Sequence, residues 1–329
     1  MNFKNYIYFF LITGCSFANA QQYQKCDHVF YSKTPPLIVN TLLSKNTFGL
    51  CFTGFAVNYS GISKTGLWSA SLLTPESLKA AHLIKRNNTF HEEDRIPYQY
   101  RSLLNDYKGS SFDRGHLSPS ADRYSVQDQY ESFSLVNMIP QSPHNNQEDW
   151  RLIEEAVRAF VSRHQQQVYV ITGPLFLGNK LRKIGNNVLV PSHIYKVVLF
   201  PKLNIAGAYV AVNDESGRLD YVSLNQLQKY SGINFFPNAS KSEIFNYRFI
   251  LPLNSNEAVK MKNIRIATRN ESEIFYQLPK QGQFNVRPSY ERINSQVEKN
   301  KQEIVNLAKE SAKSNIGLVS DWVRKVLSK

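Results

Sequence analysis

The chain has 329 residues, 42% hydrophobic and 20% charged, with 39 Lys and Arg against 26 Asp and Glu for a formal charge of +13. That length excludes a disulfide-stapled miniprotein, and that hydrophobic content excludes a disordered polycation, which could not bury enough apolar surface to offset its chain entropy. Surplus positive charge on a foldable, aromatic-rich body suits a polyanionic partner, nucleic acid or an anionic membrane surface, while a basic exported protein charged only for solubility fits equally well.

In chain order, residues 1–20 read as a secretory leader: Lys4, a short apolar run at 6–12, then Ala18-Asn19-Ala20 as a cleavage site. Ile12-Thr13-Gly14-Cys15 also fits a lipobox, in which Cys15 would carry lipid and tether the protein. Cleavage after Ala20, with export to the periplasm or medium, is the preferred reading. No other segment approaches the roughly 20 apolar residues of a membrane-spanning helix. Without the leader, Cys26 and Cys51 remain, most simply as one disulfide pinning the N-terminal arm to the body.

Residues 51–59 (CFTGFAVNY) predict a strand, and 75–84 a helix that Thr74 caps and Pro75 opens. Over 146–162, Trp150, Ile153, Val157, Phe160 and Val161 recur at helical spacing. Three β-branched and aromatic runs, 167–172, 194–200 and 207–212, predict strands. Strands with interspersed helices and no regular βαβ alternation give an α+β class. From 253 to 329 the composition changes, to 14 Lys and Arg against 8 Asp and Glu. There, 293–314 predicts a polar helix with a thin stripe of Val297, Ile304 and Ala308, and 319–327 a tighter apolar face. Docking of that face on the body is expected, with a membrane surface or a protein partner as the alternative.

Chemistry concentrates in two segments. Asp113-Arg114-Gly115-His116, inside SFDRGHLSPSADR, packs an acid, a guanidinium, a permissive glycine and an imidazole into one tetrapeptide. Histidine suits a general base because its pKa lies nearest operating pH. Thirty residues on, NMIPQSPHNNQEDWRLIEEAVR carries Asn146 and Glu154, eight apart and so about 80° round an ideal helix. A helix cap is the plain explanation for Asn145 or Asn146. Glu155 faces away from Asn146 and is expected to be solvated. Phosphodiester hydrolysis needs a base for water, a cation for the developing charge and a guanidinium for the transition state. Asn and Glu oxygens suit a hard cation such as Mg2+, which keeps most of its waters.

These segments resemble the DNA/RNA non-specific endonuclease family, with its ββα-metal (His-Me finger) site. DRGHLSPSAD, NMIPQ and then Asn146, Trp150 and Glu154 follow the family's order, Arg86-Asn87-Asn88-Thr89-Phe90 resembles its upstream Arg-x-x-x-Phe segment, and ITGPLF, VPSHIYKVVL and SGINFFP resemble its later sheet segments. The resemblance spans about 51–237. It implies a mainly antiparallel central sheet flanked by helices, and an enzyme that cuts DNA and RNA through backbone contacts, leaving 5′-phosphate ends. It further implies His116 as general base, Asn146 as ligand to Mg2+ (Mn2+ able to substitute), Arg86 on the scissile phosphate and Glu154 holding a metal-bound water. Asp113 and Arg114 would shape the motif and cleft.

The organisation expected is thus a leader at 1–20, an endonuclease domain at 21–252 and a basic, partly helical extension at 253–329. His91 and His144 are candidates for the cleft rim. Tyr98, Tyr100, Tyr107 and Tyr124 are candidates for base stacking, with core packing as an equal explanation. A catalytically inactive nucleic-acid binder, and a nuclease toxin held by an immunity partner, are the competing functions; a homodimer or a tail partner is open.

Overall fold

Apolar, β-branched runs pair into one seven-stranded antiparallel sheet. The computed structural model describes residues 22–178, 181–239 and 243–267. The leader and the helices expected at 293–314 and 319–327 lie outside those residues. Thr47–Cys51 (β1) and Ala56–Ser60 (β2) form a hairpin, followed by Thr65–Leu73 (β3). Pro75–Ala81 (α1) follows, then Asp113–His116 (β4), Val126–Ser132 (α2) and Met138–Gln141 (β5). Trp150–His164 (α3) leads into Val168–Leu175 (β6), His193–Phe200 (β7), Ile205–Val212 (β8) and Leu219–Val222 (β9). Leu224–Ser231 (α4) and Ser255–Lys260 (α5) close the described chain. The sheet order is β9-β8-β7-β6-β3-β2-β1, every pair antiparallel.

The strand expected over 51–59 is instead two strands joined at Phe52–Phe55. Phe52 N–H closes the turn on the Phe55 carbonyl at 2.9 Å, and the Gly54 carbonyl accepts from the buried Arg123 at 2.8 Å. A Cβ on Gly54 would lie 2.5 Å from an Asp128 oxygen, so the turn needs glycine to reach that pair. The helix expected to Ile84 stops at Ala81. Its cap is as read: Thr74 Oγ1 accepts from Ser77 N–H at 3.1 Å, and Ser77 returns the bond to Thr74 N–H at 3.0 Å.

Helix α3 turns Trp150, Ile153, Val157, Phe160 and Val161 onto Leu73, Val168, Val170, Ile194, Val198 and Phe200 of the sheet. Each buried side chain of this size contributes roughly 1.5–3 kcal/mol. The other face of the sheet is covered by the N-terminal arm, where Tyr23 and Phe30 meet Trp68 at 5.4 and 5.9 Å. A Cys26–Cys51 disulfide ties the arm to the end of β1. The body does not stop at Pro252. Fully buried Ala258 of α5 belongs to the α3 core, and Phe249–Ile250 pairs with Arg265–Ile266. Among the described residues no helix is long and apolar enough to cross a membrane.

Candidate active site

β4 and β5 form a separate two-stranded antiparallel ribbon, with Asp113 opposite Gln141 and His116 opposite Met138. Glycine at 115 is obligatory here for space: a Cβ would lie 1.9 Å from Gln141 Oε1. Gln141 instead passes across the ribbon and donates to Asn145 Oδ1 at 2.7 Å, and Asn145 donates to the Val212 carbonyl at 3.2 Å. Asn213 adds a second tie, accepting from Ser142 N–H at 2.8 Å and donating to the Pro140 carbonyl at 3.0 Å. The ribbon is thereby fixed to the end of β8.

His116 packs edge-on to Phe133 at 4.9 Å and against Phe90 at 5.9 Å. Its Nε2 is buried and has no hydrogen-bond partner. Burial, then the nearby Arg86 and Arg123 charges, push the imidazole down to about 3, so it stays neutral at physiological pH. Arg86 is exposed, lies 5.4 Å over the Phe133 ring and donates to Asn88 Oδ1 at 2.8 Å. Phe90 meets the same Phe133 ring at 4.9 Å, which is why an Arg and a Phe four apart serve one ring. Arg114 lies 4.2 Å over Phe90.

Neither Asn145 nor Asn146 caps a helix. The turn Asn145–Asp149 is π-helical and opens α3 without a side-chain cap. A π turn winds less per residue than an α turn, so Asn146 and Glu154 are closer round the axis than the 80° of a regular helix. Asn146 Nδ2 donates to Asp113 Oδ2 at 2.8 Å, and Gln147 donates to the same oxygen at 2.8 Å. Asp113 thus orients the Asn146 amide, committing its nitrogen and leaving its oxygen for another ligand.

Glu154 is 15% exposed, 3.9 Å from Lys196 Nζ. Burial raises its carboxyl to about 7 against the pull of Lys196, Arg158 and Arg86. Lys196 itself is 2% exposed, donates to Thr172 Oγ1 at 2.9 Å and lies 5.3 Å over the Trp150 ring. Arg158 is held by Asp122 at 2.9 Å. Arg123, 1% exposed, adds an ion pair to Asp128 at 3.5 Å. The structure thus places Asp113 with Asn146, and puts Arg86 within electrostatic reach of both His116 and Glu154.

Sequence reasoning missed Lys196, Asp122, Arg123 and Arg158 as site residues. One signal was available: Lys196 is the single charge in the otherwise apolar strand IYKVVLF. Glu155 takes a 2.6 Å ion pair from Arg151 on the outer side, as expected of a solvated residue. His91 is stacked on Tyr130 at 4.3 Å, and His144 is exposed 3.7 Å from Asp149. Tyr107 is buried and Tyr124 donates to the Thr53 carbonyl at 3.1 Å, while Tyr98 is exposed. Among the described residues no three His, Cys, Asp or Glu side chains converge as a metal cluster. A groove of about 1080 Å3 between α1 and α3 is lined in part by Lys79, His82, Arg86 and Arg158.

An antiparallel ribbon carrying the histidine, followed by a helix that opens on an asparagine, defines a ββα nuclease. The sequence pattern of the DNA/RNA non-specific endonucleases matches residues 35–242. Endonuclease G, mitochondrial, of Bos taurus is 35% identical over 222 residues, covering 61% of this chain and 70% of the relative. Nuclease C1 of Cunninghamella echinulata var. echinulata is 32% identical over 210 residues, covering 58% and 83%. The crystal structure of the EndoG/EndoGI complex superposes with a TM-score of 0.52 at 25% identity, covering 59% of this chain and 87% of the other. The chain belongs to the DNA/RNA non-specific endonuclease family and is a nucleic-acid hydrolase.

Proposed function

We propose that the protein is an exported, Mg2+-dependent, sequence-non-specific endonuclease that cuts DNA and RNA to 5′-phosphate ends. One observation carries the reading: a buried His116 Nε2 without a partner, on an imidazole that its surroundings keep unprotonated. A neutral ring can take the proton of an attacking water, whereas a protonated one cannot. Arg86, exposed and 5.4 Å over the Phe133 ring, neutralises the scissile phosphate.

The donor set fits a hard cation. Asn146 presents an amide oxygen oriented by Asp113, and a site with few protein oxygens suits Mg2+, which retains its waters. Bound there, the cation would stabilise charge on phosphorus and on the leaving oxygen. Glu154, whose carboxyl burial raises to about 7, would hold a water bound to that cation. The groove along α1 and α3 includes Arg86, Lys79 and Arg158 in its lining and offers a nucleic-acid strand cationic contacts.

Incubating the protein with plasmid DNA and total RNA, with Mg2+ or with EDTA, tests this. Cleavage of both substrates in Mg2+ alone, with ends that ligate without prior phosphorylation, is the expected result. Intact substrate in Mg2+, or equal cleavage in EDTA, overturns it. Export rests on the leader at 1–20 and on the Cys26–Cys51 disulfide, which an oxidising compartment would preserve. N-terminal sequencing of exported protein should start at Gln21; a start at a lipidated Cys15 would mean tethering instead.

A further inference from the structure

Strand alternation puts Phe112, Arg114 and His116 on one side of β4 and Asp113 and Gly115 on the other. The second side is spent on structure: Asp113 orients Asn146, and Gly115 makes room for Gln141. The first side carries a repeated device. Arg114 lies 4.2 Å over the Phe90 ring, and Arg182 lies 4.6 Å over the Phe112 ring. Both rings rest on one small buried cluster, Tyr107, Leu135, Met138, Ile184, Val188 and Val190.

Arg182 is exposed, yet its backbone is fixed. Its carbonyl accepts from Val190 N–H at 2.9 Å, at the mouth of a short ribbon pairing Lys183–Ile184 with Val188–Leu189. That ribbon is anchored twice more, by Asn186 N–H on Asp106 Oδ1 at 2.7 Å and by Leu189 N–H on the Ser63 carbonyl at 2.9 Å. No carboxylate lies within ion-pair distance of Arg114 or Arg182 among the described residues, although Arg95, Arg101, Arg123, Arg151, Arg158, Arg218 and Arg248 all have one. A guanidinium stacked on an aromatic ring loses little of its charge and much of its rotamer freedom, so its ordering cost is met before a ligand arrives.

We propose that Arg182, stacked on Phe112, binds a backbone phosphate flanking the scissile one, on the Arg114 side of His116. The ligand is a single strand of DNA or RNA read through its phosphates, so the contact carries no base preference. This rests on the nuclease reading above. It extends the substrate track beyond the site's own residues, onto a ribbon that none of the catalytic assignments uses.

The test is binding of a short fluorescent single-stranded oligonucleotide in EDTA across a salt series, with cleavage measured separately in Mg2+. Losing one phosphate contact on a single strand should flatten the slope of log K against log salt by about 0.7. Arg182→Gln, which keeps a stem over Phe112 but removes the charge, should show that loss, and a several-fold rise in KM that exceeds any change in kcat. Arg182→Lys should retain the slope. In Arg182→Gln alone, kcat/KM for the oligonucleotide should also fall further than that for bis(p-nitrophenyl) phosphate, a diester with no flanking phosphate. A wild-type slope and KM in Arg182→Gln overturns the proposal. So does an equal loss in Arg182→Lys and Arg182→Gln, which would mean that the residue only shapes the ribbon. Failure of the nuclease reading looks different: wild-type protein would leave the oligonucleotide intact in Mg2+, whatever the binding slope of the variants.

Discussion

His116 and Glu154 are both withdrawn from water, and burial drives each towards its neutral form, yet their surroundings are built on opposite plans. His116 sits among aromatic rings, with the cations Arg86 and Arg123 at a distance and, among the described residues, no carboxylate acting on it. Glu154 sits among charges, with Lys196, Arg158 and Asp122 around it. Arg86 acts on both. Its charge lowers the proton affinity of the imidazole and of the carboxyl together, favouring a free base and an ionised acid. One exposed cation therefore biases two buried groups towards the states the proposed hydrolysis would use, and the phosphate it is proposed to bind would relax that bias on both at once.

The largest expected effect comes from removing the base. His116→Ala should lower kcat/KM on plasmid DNA by about 10²–10⁴-fold, the usual yield of general base catalysis, with oligonucleotide affinity in EDTA retained. A loss of affinity as large as the loss of rate would break the division of labour drawn here. Next is the shared cation. Arg86→Ala should cost about 10²–10³-fold in kcat. In metal-free protein it should also raise the titration points of both His116 and Glu154, followed by NMR of the imidazole and carboxyl carbons. Movement of only one of the two would show that Arg86 does not couple them.

A change far from both centres is the control. Replacing Cys26 and Cys51 together by Ala should cost about 3 kcal/mol in urea unfolding, from a cross-link spanning 25 residues, and leave both titrations in place. The pH dependence of stability gives opposite signs for the two groups. The unfolded chain takes up a proton on His116 near 6.5 and the folded chain only near 3, so stability falls as pH drops through that window. Folded Glu154 keeps its proton up to about 7 and unfolded Glu154 only to about 4.5, so stability falls as pH rises between them. Each slope is at most about 1.4 kcal/mol per pH unit. His116→Asn should remove the first and Glu154→Gln the second, read from unfolding midpoints across pH in metal-free protein. The smallest effect is Lys196→Met, which should raise the Glu154 titration by about one pH unit by removing its nearest opposite charge.

Much of this was visible in local pattern. Runs such as IYKVVLF and GAYVAV could only be buried strands, Thr74 before Pro75 could only open a helix, and the alternation of the DRGH segment suits the strand it forms. What stayed hidden depends on partners far apart in the chain. Arg158 meets Asp122 across 36 positions and Lys196 meets Glu154 from another element, so no window of sequence contains either pair. The break in the expected strand over 51–59 follows from Gly54 serving Arg123, 69 positions away. Composition alone puts the end of the body at Pro252, where a surplus of Lys and Arg begins. Six residues long, with Ala258 its single buried side chain, α5 carries too short a pattern to announce that it returns to the core. The cap reading for Asn146 was a sound local inference, overruled by a carboxylate 33 positions upstream.

The π turn at Asn145–Asp149 amounts to one residue too many in an otherwise regular helix. Excising Gln147 would let the segment close into ordinary α-helix, a conformation the backbone prefers. It would also remove the amide that shares Asp113 Oδ2 with Asn146 and re-set the turn from which Asn146 reaches that oxygen. Selection for sturdiness alone would therefore erase the irregularity, and selection for turnover would restore it. A library screened first for heat resistance and then for cleavage should lose and regain that single residue.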